Sequence, residues 1–336
     1  MITTALVCDT DQQFAIEEAI LPPPRPRQIQ LRTLWSGVSF GTELALIRGK
    51  LNWGPPPMVT GYMATGIVEA VGTEVTEFAI GDRAYCRNNA GLSCTEGTAL
   101  TMASGTHAAH ITTGVDGTHG AAKLPDGVPA DVASLFVLPA VGLHGVDMAQ
   151  PEVGALVVVH GVGQIGLAVV AACALRGCTV IAIDIDAGRL AVASALGADH
   201  LIHAAEEDVA AQVRALAPNG ADYVFECTGR ADCVMPAAQL CRTFGTFIWQ
   251  GNYGGEPFPF HFLPMHGKQL RTLFPCDDGY QPCRQWVMKG LANGTLAWEK
   301  TLTHRVAASD APEIFRALNA GELTNAVGAA IHWSRE

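Results

Sequence analysis

The stretch Leu156-Val157-Val158-Val159-His160-Gly161-Val162-Gly163-Gln164-Ile165-Gly166 decides the fold. A short β-branched run enters Gly-x-Gly-x-x-Gly, and an Ala- and Val-rich helical segment follows over residues 164–176. A strand, a glycine loop and a helix in that order form the first half of a nucleotide-binding βαβ unit. The first glycine permits a tight turn. The second lets a pyrophosphate approach the backbone, and the third lets the helix pack closely on the strand. The free N–H groups at the helix start then face the phosphates. Residues Gly161, Val162, Gly163, Gln164, Ile165 and Gly166 are therefore the expected phosphate cradle.

Downstream of this loop, strand and helix signals alternate. Strands are expected at 155–160, 179–184, 200–202, 222–227 and 246–250, and helices at 164–176, 188–196, 209–216 and 234–240. Such alternation implies right-handed crossovers and a parallel sheet buried on both faces. The doubly wound domain runs from about residue 138 to 274, and strand 246–250 is a candidate sheet edge. Asp184 ends the second strand, 18 residues beyond Gly166. A carboxylate there accepts hydrogen bonds from ribose hydroxyls and repels a 2′-phosphate, which favours NAD over NADP. Arg189 is the nearest base. The turns at Cys227-Thr228 and Gly251-Asn252-Tyr253 follow parallel strands and belong to the same carboxyl edge.

Upstream, residues 1–137 read as β-rich, with short apolar runs separated by Gly, Pro and polar turns. A helical segment over 132–149 is expected to break at Pro139. The tail, 275–336, is mixed: helices at 285–290 and 311–320, and a strand at 326–332. The expected architecture is α/β, a β-rich domain drawn from both chain ends beside the Rossmann domain.

Composition narrows the function. Across 336 residues the net charge is -11, with 49% hydrophobic and 16% charged residues. The acidic balance argues against nucleic acid and anionic membranes as partners. No signal peptide is evident at the start, so a cytoplasmic location is expected. The ten cysteines include no Cys-x-x-Cys pair and read as buried thiols.

These segments, taken in order, resemble the medium-chain dehydrogenase/reductase superfamily, the group of zinc alcohol dehydrogenases and quinone reductases. The resemblance is carried by Gly61-Tyr62-Met63-Ala64-Thr65-Gly66-Ile67-Val68-Glu69, Gly81-Asp82-Arg83, Lys123-Leu124-Pro125, the glycine loop, Phe225-Glu226-Cys227-Thr228-Gly229 and Thr301-Leu302-Thr303-His304. It implies a GroES-like catalytic domain (1–137 and 275–336), a Rossmann domain (138–274), and a homodimer or homotetramer. Zinc members of that group place a Cys in the segment that reads Ser36-Gly37-Val38-Ser39-Phe40-Gly41-Thr42-Glu43 here, where Ser39 is its counterpart. They place a His-Glu pair where Tyr62-Met63 stands, and a third ligand near Val137. Hydroxyl, phenol and alkyl groups do not hold zinc, so the expectation is a zinc-free member. Ser-Gly-Val-Ser-Phe-Gly-Thr-Glu-Leu and Gly-Tyr-Met-Ala-Thr-Gly are similar to the branch related to bacteriochlorophyllide a dehydrogenase. His107, His110 and His119 match no zinc spacing and read as surface or loop histidines.

Without zinc, a side chain must move the proton. The resemblance puts Tyr62 beside the nicotinamide pocket, where a phenol whose pKa a nearby cation lowers can act as acid/base; filling the space of a lost zinc is the competing role. Ser39 and Thr42 are candidate donors to the substrate oxygen. Glu43 is a candidate relay or an exposed acid, His144 a catalytic or structural histidine, and Lys268 a cofactor contact or a solvated lysine. The expected function is NAD(H)-dependent interconversion of a secondary alcohol, such as a sugar, cyclitol or polyol, and a ketone. Two alternatives stay open: reduction of an enone or quinone, and nucleotide binding without turnover.

Overall fold

The computed structural model describes every residue except Glu96, Thr98, Tyr280, Arg335 and Glu336. The chain divides into two compact units. One comprises Met1–Val137, Tyr280–Thr295 and Leu302–Glu336; the other comprises Leu138–Gly279 and Leu296–Thr301.

The second unit holds six strands: β1 (Leu156–His160), β2 (Thr179–Asp184), β3 (His200–His203), β4 (Ala221–Glu226), β5 (Cys241–Trp249) and β6 (Arg271–Leu273). They lie side by side in the order β3-β2-β1-β4-β5-β6, every pair parallel. Val157, Val158 and Val159 are fully buried, which is why the sequence of β1 is an unbroken apolar run rather than an alternating one. Helices α1 (Gln164–Leu175), α2 (Ala187–Ala195), α3 (Val209–Leu216), α4 (Ala231–Gln239) and α5 (Phe262–Gly267) make the connections. The chain leaves β1 toward β2 and β3, then returns to the other side of β1 as β4. Ligands of such sheets bind outside the strand ends at that reversal.

Two expectations need correction. Strand β5 is paired on both sides, so the edge strands of this sheet, among the described residues, are β3 and β6 and not 246–250. The helical segment 132–149 does break, but ahead of Pro139: Ala130–Ala133 is a short helix, and a new helix spans Val137–Ala149. Pro139 lies in the first turn of that second helix, where its missing N–H has no intrahelical partner to lose.

In the first unit, the strand Gln28–Val38 is the spine of a seven-stranded sheet. It pairs antiparallel with Ala64–Val71, His110–Gly114 and the C-terminal strand Ala329–His332, so both chain ends build one sheet. Beyond Val38 the chain turns through Ser39 into the helix Thr42–Ile47. The strand Met58–Val59 leads into Thr60-Gly61-Tyr62, and its parallel neighbour Thr101–Met102 leads into Thr106-His107. The Thr106 amide donates to Gly61 O at 2.9 Å and the His107 amide to Thr60 O at 3.2 Å. These bonds bring two distant passes of the chain together.

Among the described residues, no helix is long and apolar enough to cross a membrane. Cys8, Cys86, Cys173, Cys178, Cys241 and Cys283 are buried.

Candidate active site

The glycine loop sits at the reversal point of the parallel sheet. Gly161 has φ +90°, and a Cβ there would approach Thr228 Cγ2 to 2.7 Å. A Cβ on Gly166 would fall 1.9 Å from Gly161 O. Packing alone therefore demands both glycines. Gly163 differs: a Cβ there would meet no protein atom within 4 Å. Nothing in the fold requires glycine at 163, which is what a position reserved for close approach of a ligand looks like.

Asp184 closes the first side of this cradle. Its Oδ2 accepts the Val162 amide at 2.8 Å, and its Oδ1 accepts the amides of Ile185 and Asp186 at 2.8 and 3.0 Å. Arg189 Nη1 lies 3.9 Å from Asp184 Oδ1, and the Arg189 amide is tied to Asp186, the cap of α2. Gln164 and Ile165 open α1, Gln164 being buried. On the other side Glu226, fully buried at the end of β4, gathers the two remaining turns. It accepts the Thr228 amide at 3.1 Å, and the hydroxyls of Thr228 and Tyr253. Its backbone carbonyl accepts the Gly251 amide at 2.8 Å. Burial pushes the Cys227 thiol well above its ordinary value, so it is a neutral packing group. Asn252 Oδ1 accepts the Gly254 amide and shapes the last turn. The fold thus brings together the residues 161–166, 184, 189, 227–228 and 251–253.

Lys268 is partly exposed, and its ammonium is held by backbone carbonyls. Its ammonium donates to the carbonyls of Gln239 and Cys241, both at 2.6 Å, at the end of α4. His144 is half-buried on the helix Val137–Ala149 and belongs to this unit, whereas Ser39, Thr42, Glu43 and Tyr62 belong to the other.

In the first unit those four residues lie together. The Ser39 and Thr42 hydroxyls stand beside the buried Tyr62 phenol. The Arg87 guanidinium lies over its ring at 5.5 Å from the centroid. Burial raises the phenol's pKa and the Glu43 carboxylate adds to the rise; the two hydroxyls and Arg87 only partly offset it. This reverses the expectation of a lowered pKa. The nearby cation is present, but desolvation outweighs it, and Tyr62 stays a neutral phenol.

Glu43 is not an exposed acid: it is 1% exposed. Its Oε1 accepts the Ser39 amide at 2.8 Å, and its Oε2 accepts the Thr60 hydroxyl and faces His107 Nε2, both at 2.8 Å. His107 is correspondingly not a surface histidine; it is fully buried. A Cβ on Gly61, which has φ +88°, would press on the His107 ring at 2.8 Å. Sequence spacing missed His107 because its partner is 64 residues away. The one available signal was Gly61 beside Tyr62, a glycine demanded by a close neighbour.

Comparison with known proteins agrees with this geometry. Residues 25–132 match the model of the alcohol dehydrogenase GroES-like domain, and residues 165–289 match that of the zinc-binding dehydrogenase. Taken together, the two matches support the resemblance to the medium-chain dehydrogenase/reductase superfamily. It is 28% identical to a sorbitol dehydrogenase of Gallus gallus over 95% of this chain and 94% of that one. It is 27% identical to a D-xylulose reductase of Saccharomyces cerevisiae, over 80% of each chain. Among solved structures it resembles an oxidoreductase/dehydrogenase of unknown specificity from Escherichia coli (TM-score 0.86, 22% identity, 99% of each chain). It also resembles a Sinorhizobium meliloti 1021 protein bound to NADP (TM-score 0.85, 22% identity, 99% of each chain).

The superfamily includes zinc enzymes, and the donors present in this chain can be compared with what a zinc ion requires. At the positions that the family resemblance assigns to ligands stand Ser39, a Tyr62 phenol held neutral by burial, and the buried alkyl of Val137. The one carboxylate beside them, Glu43, already accepts three hydrogen bonds. Structural and catalytic zinc sites use thiolates, imidazoles and uncommitted carboxylates; this set does not fit.

Proposed function

We propose that the chain is an NAD(H)-dependent oxidoreductase that interconverts a secondary alcohol and a ketone, with the Tyr62 hydroxyl rather than zinc handling the proton. One observation supports this reading: Tyr62, at the position that the family resemblance gives to a zinc ligand, is a buried neutral phenol with the Ser39 and Thr42 hydroxyls beside it. In the reductive direction NADH supplies the hydride. Tyr62 donates its proton to the carbonyl oxygen as negative charge develops there, and Ser39 and Thr42 orient the substrate oxygen and the phenol. The raised pKa suits the donor role, because a neutral phenol is ready to give up a proton only when an alkoxide forms beside it. Oxidation runs through the same atoms in reverse.

Two features support the remaining parts. Asp184 at the end of β2 supports NAD over NADP, through repulsion of a 2′-phosphate. The curated relatives named for sorbitol and D-xylulose support a polyol or ketose substrate. A homo-oligomer is part of the proposal, with β6 as the pairing edge: its backbone groups are open on one side, and Phe274 beside it is 67% exposed. The test is turnover of D-xylulose with NADH by the wild-type protein and by Tyr62→Phe. The variant is expected to lose about 10²–10⁴-fold in kcat, the usual worth of a general acid, with NADH affinity unchanged. Wild-type turnover by Tyr62→Phe, with chemistry shown to limit the rate, would remove Tyr62 from the reaction.

A further inference from the structure

The strongest buried polar array outside the groups already assigned a role runs from Trp333 to Glu43. Trp333 Nε1 can only donate, and it lies 2.8 Å from Ser36 Oγ. Ser36 Oγ accepts from the indole and lies 2.8 Å from His107 Nδ1. On the other side of the ring, Nε2 faces the Glu43 Oε2 carboxylate, an acceptor, and donates to it at 2.8 Å. Thr60 and the Ser39 amide complete the carboxylate's partners. Ser36, Glu43, Thr60 and His107 are all buried. The ring itself cannot drift: Gly61 closes on one side, and Phe315 packs edge-on at 5.4 Å between centroids.

We infer that His107 is a positioning residue for the Tyr62 hydroxyl, acting through Glu43 on the Ser39 amide and on the charge that faces the phenol. The inference rests on the proposed role of Tyr62. Its physical content is twofold. The Glu43 carboxylate pins the backbone of Ser39 and the hydroxyl of Thr60, two residues before Tyr62, and so holds both segments that carry the phenol and its neighbouring hydroxyl. The same carboxylate opposes Arg87 in the field on Tyr62. Withdrawing the His107 N–H leaves a buried carboxylate one donor short, so that it shifts toward other donors and weighs more heavily on the phenol.

The experiment compares His107→Phe, which keeps a ring and loses both nitrogens, with His107→Gln, which keeps a donor near the Nε2 position. The protein is labelled with ¹³C at tyrosine Cζ; it has five tyrosines, and Tyr62→Phe assigns the signal. The Tyr62 signal should be displaced in His107→Phe and return to its wild-type position in His107→Gln. With NADH and D-xylulose, kcat should fall roughly ten- to a hundredfold in His107→Phe, the scale of losing a group that orients a catalytic one. His107→Gln should recover most of it, with the NADH Kd unchanged throughout. If His107→Phe does not fold, Ser36→Ala replaces it: it removes the hydroxyl that holds His107 Nδ1 and should move the Tyr62 signal in the same direction. An unmoved Tyr62 signal in folded His107→Phe or Ser36→Ala overturns the inference, as does a wild-type kcat in His107→Phe where Tyr62→Phe has lost turnover. If Tyr62→Phe keeps turnover while its signal still answers to His107, the proton-donor role fails and the coupling stands.

Discussion

Asp184 Oδ2 accepts the Val162 amide at 2.8 Å, so the acid that ends β2 is bound to the glycine loop that follows β1. One carboxylate thereby shapes the phosphate cradle and presents negative charge at the ribose end. The two roles separate by substitution. Asp184→Asn keeps an oxygen for the Val162 amide and drops the charge, so NADPH should gain on NADH by about tenfold in Kd measured by fluorescence titration. Asp184→Ala loses both and should weaken both nucleotides. A wild-type preference for NADPH would show that Arg189, 3.9 Å from Asp184, governs the site instead.

The two glycines that differ in packing should differ in phenotype. A methyl on Gly166 would collide with Gly161 O, so Gly166→Ala should lower Tm by several degrees, on the scale of ~1–3 kcal/mol for an overpacked core. Gly163→Ala should leave Tm within about a degree and weaken NADH binding by tenfold or more, because only a ligand contests that space. Thermal scans with and without NADH distinguish them: the nucleotide-induced rise in Tm should shrink in Gly163→Ala.

The pH profile follows from the sign of the Tyr62 shift. A general acid must be protonated to act, and this phenol's pKa lies above its ordinary value of 10.0. Reductive kcat should therefore hold through neutral and mildly alkaline pH, falling only above 10, and that limb should vanish in Tyr62→Phe. Zinc-bound water titrates near 7; an alkaline limb there would point to metal.

The β6 edge should govern assembly. Phe274→Glu places a charge beside the open strand, and sedimentation should then show a smaller species than the wild type at equal concentration. An unchanged oligomer would move the interface elsewhere.

The nucleotide unit is legible in the sequence because its signals are local: apolar runs of β1 and β2, a glycine loop, and helices of matching length. Its edge is less so, since Arg271–Leu273 is three residues long, with two of them exposed, and lacks an apolar run. The catalytic cluster is half-legible. Ser39, Thr42 and Tyr62 stand in short motifs, but the environment that sets their chemistry is long-range. The spine strand meets Ala329–His332 across nearly the whole chain, and Glu43 meets His107 from another loop. Burial then decides the sign of the Tyr62 shift against the nearby cation, and no spacing rule reports burial.

The central claim of the proposal is that this chain manages its substrate oxygen without zinc. The direct test is NADH-dependent turnover of D-xylulose before and after exhaustive chelation, with zinc counted in the same samples by mass spectrometry. The account predicts far less than one zinc per chain and the same kcat in both samples. Near-stoichiometric zinc, with activity lost on chelation and restored by added zinc, would contradict it.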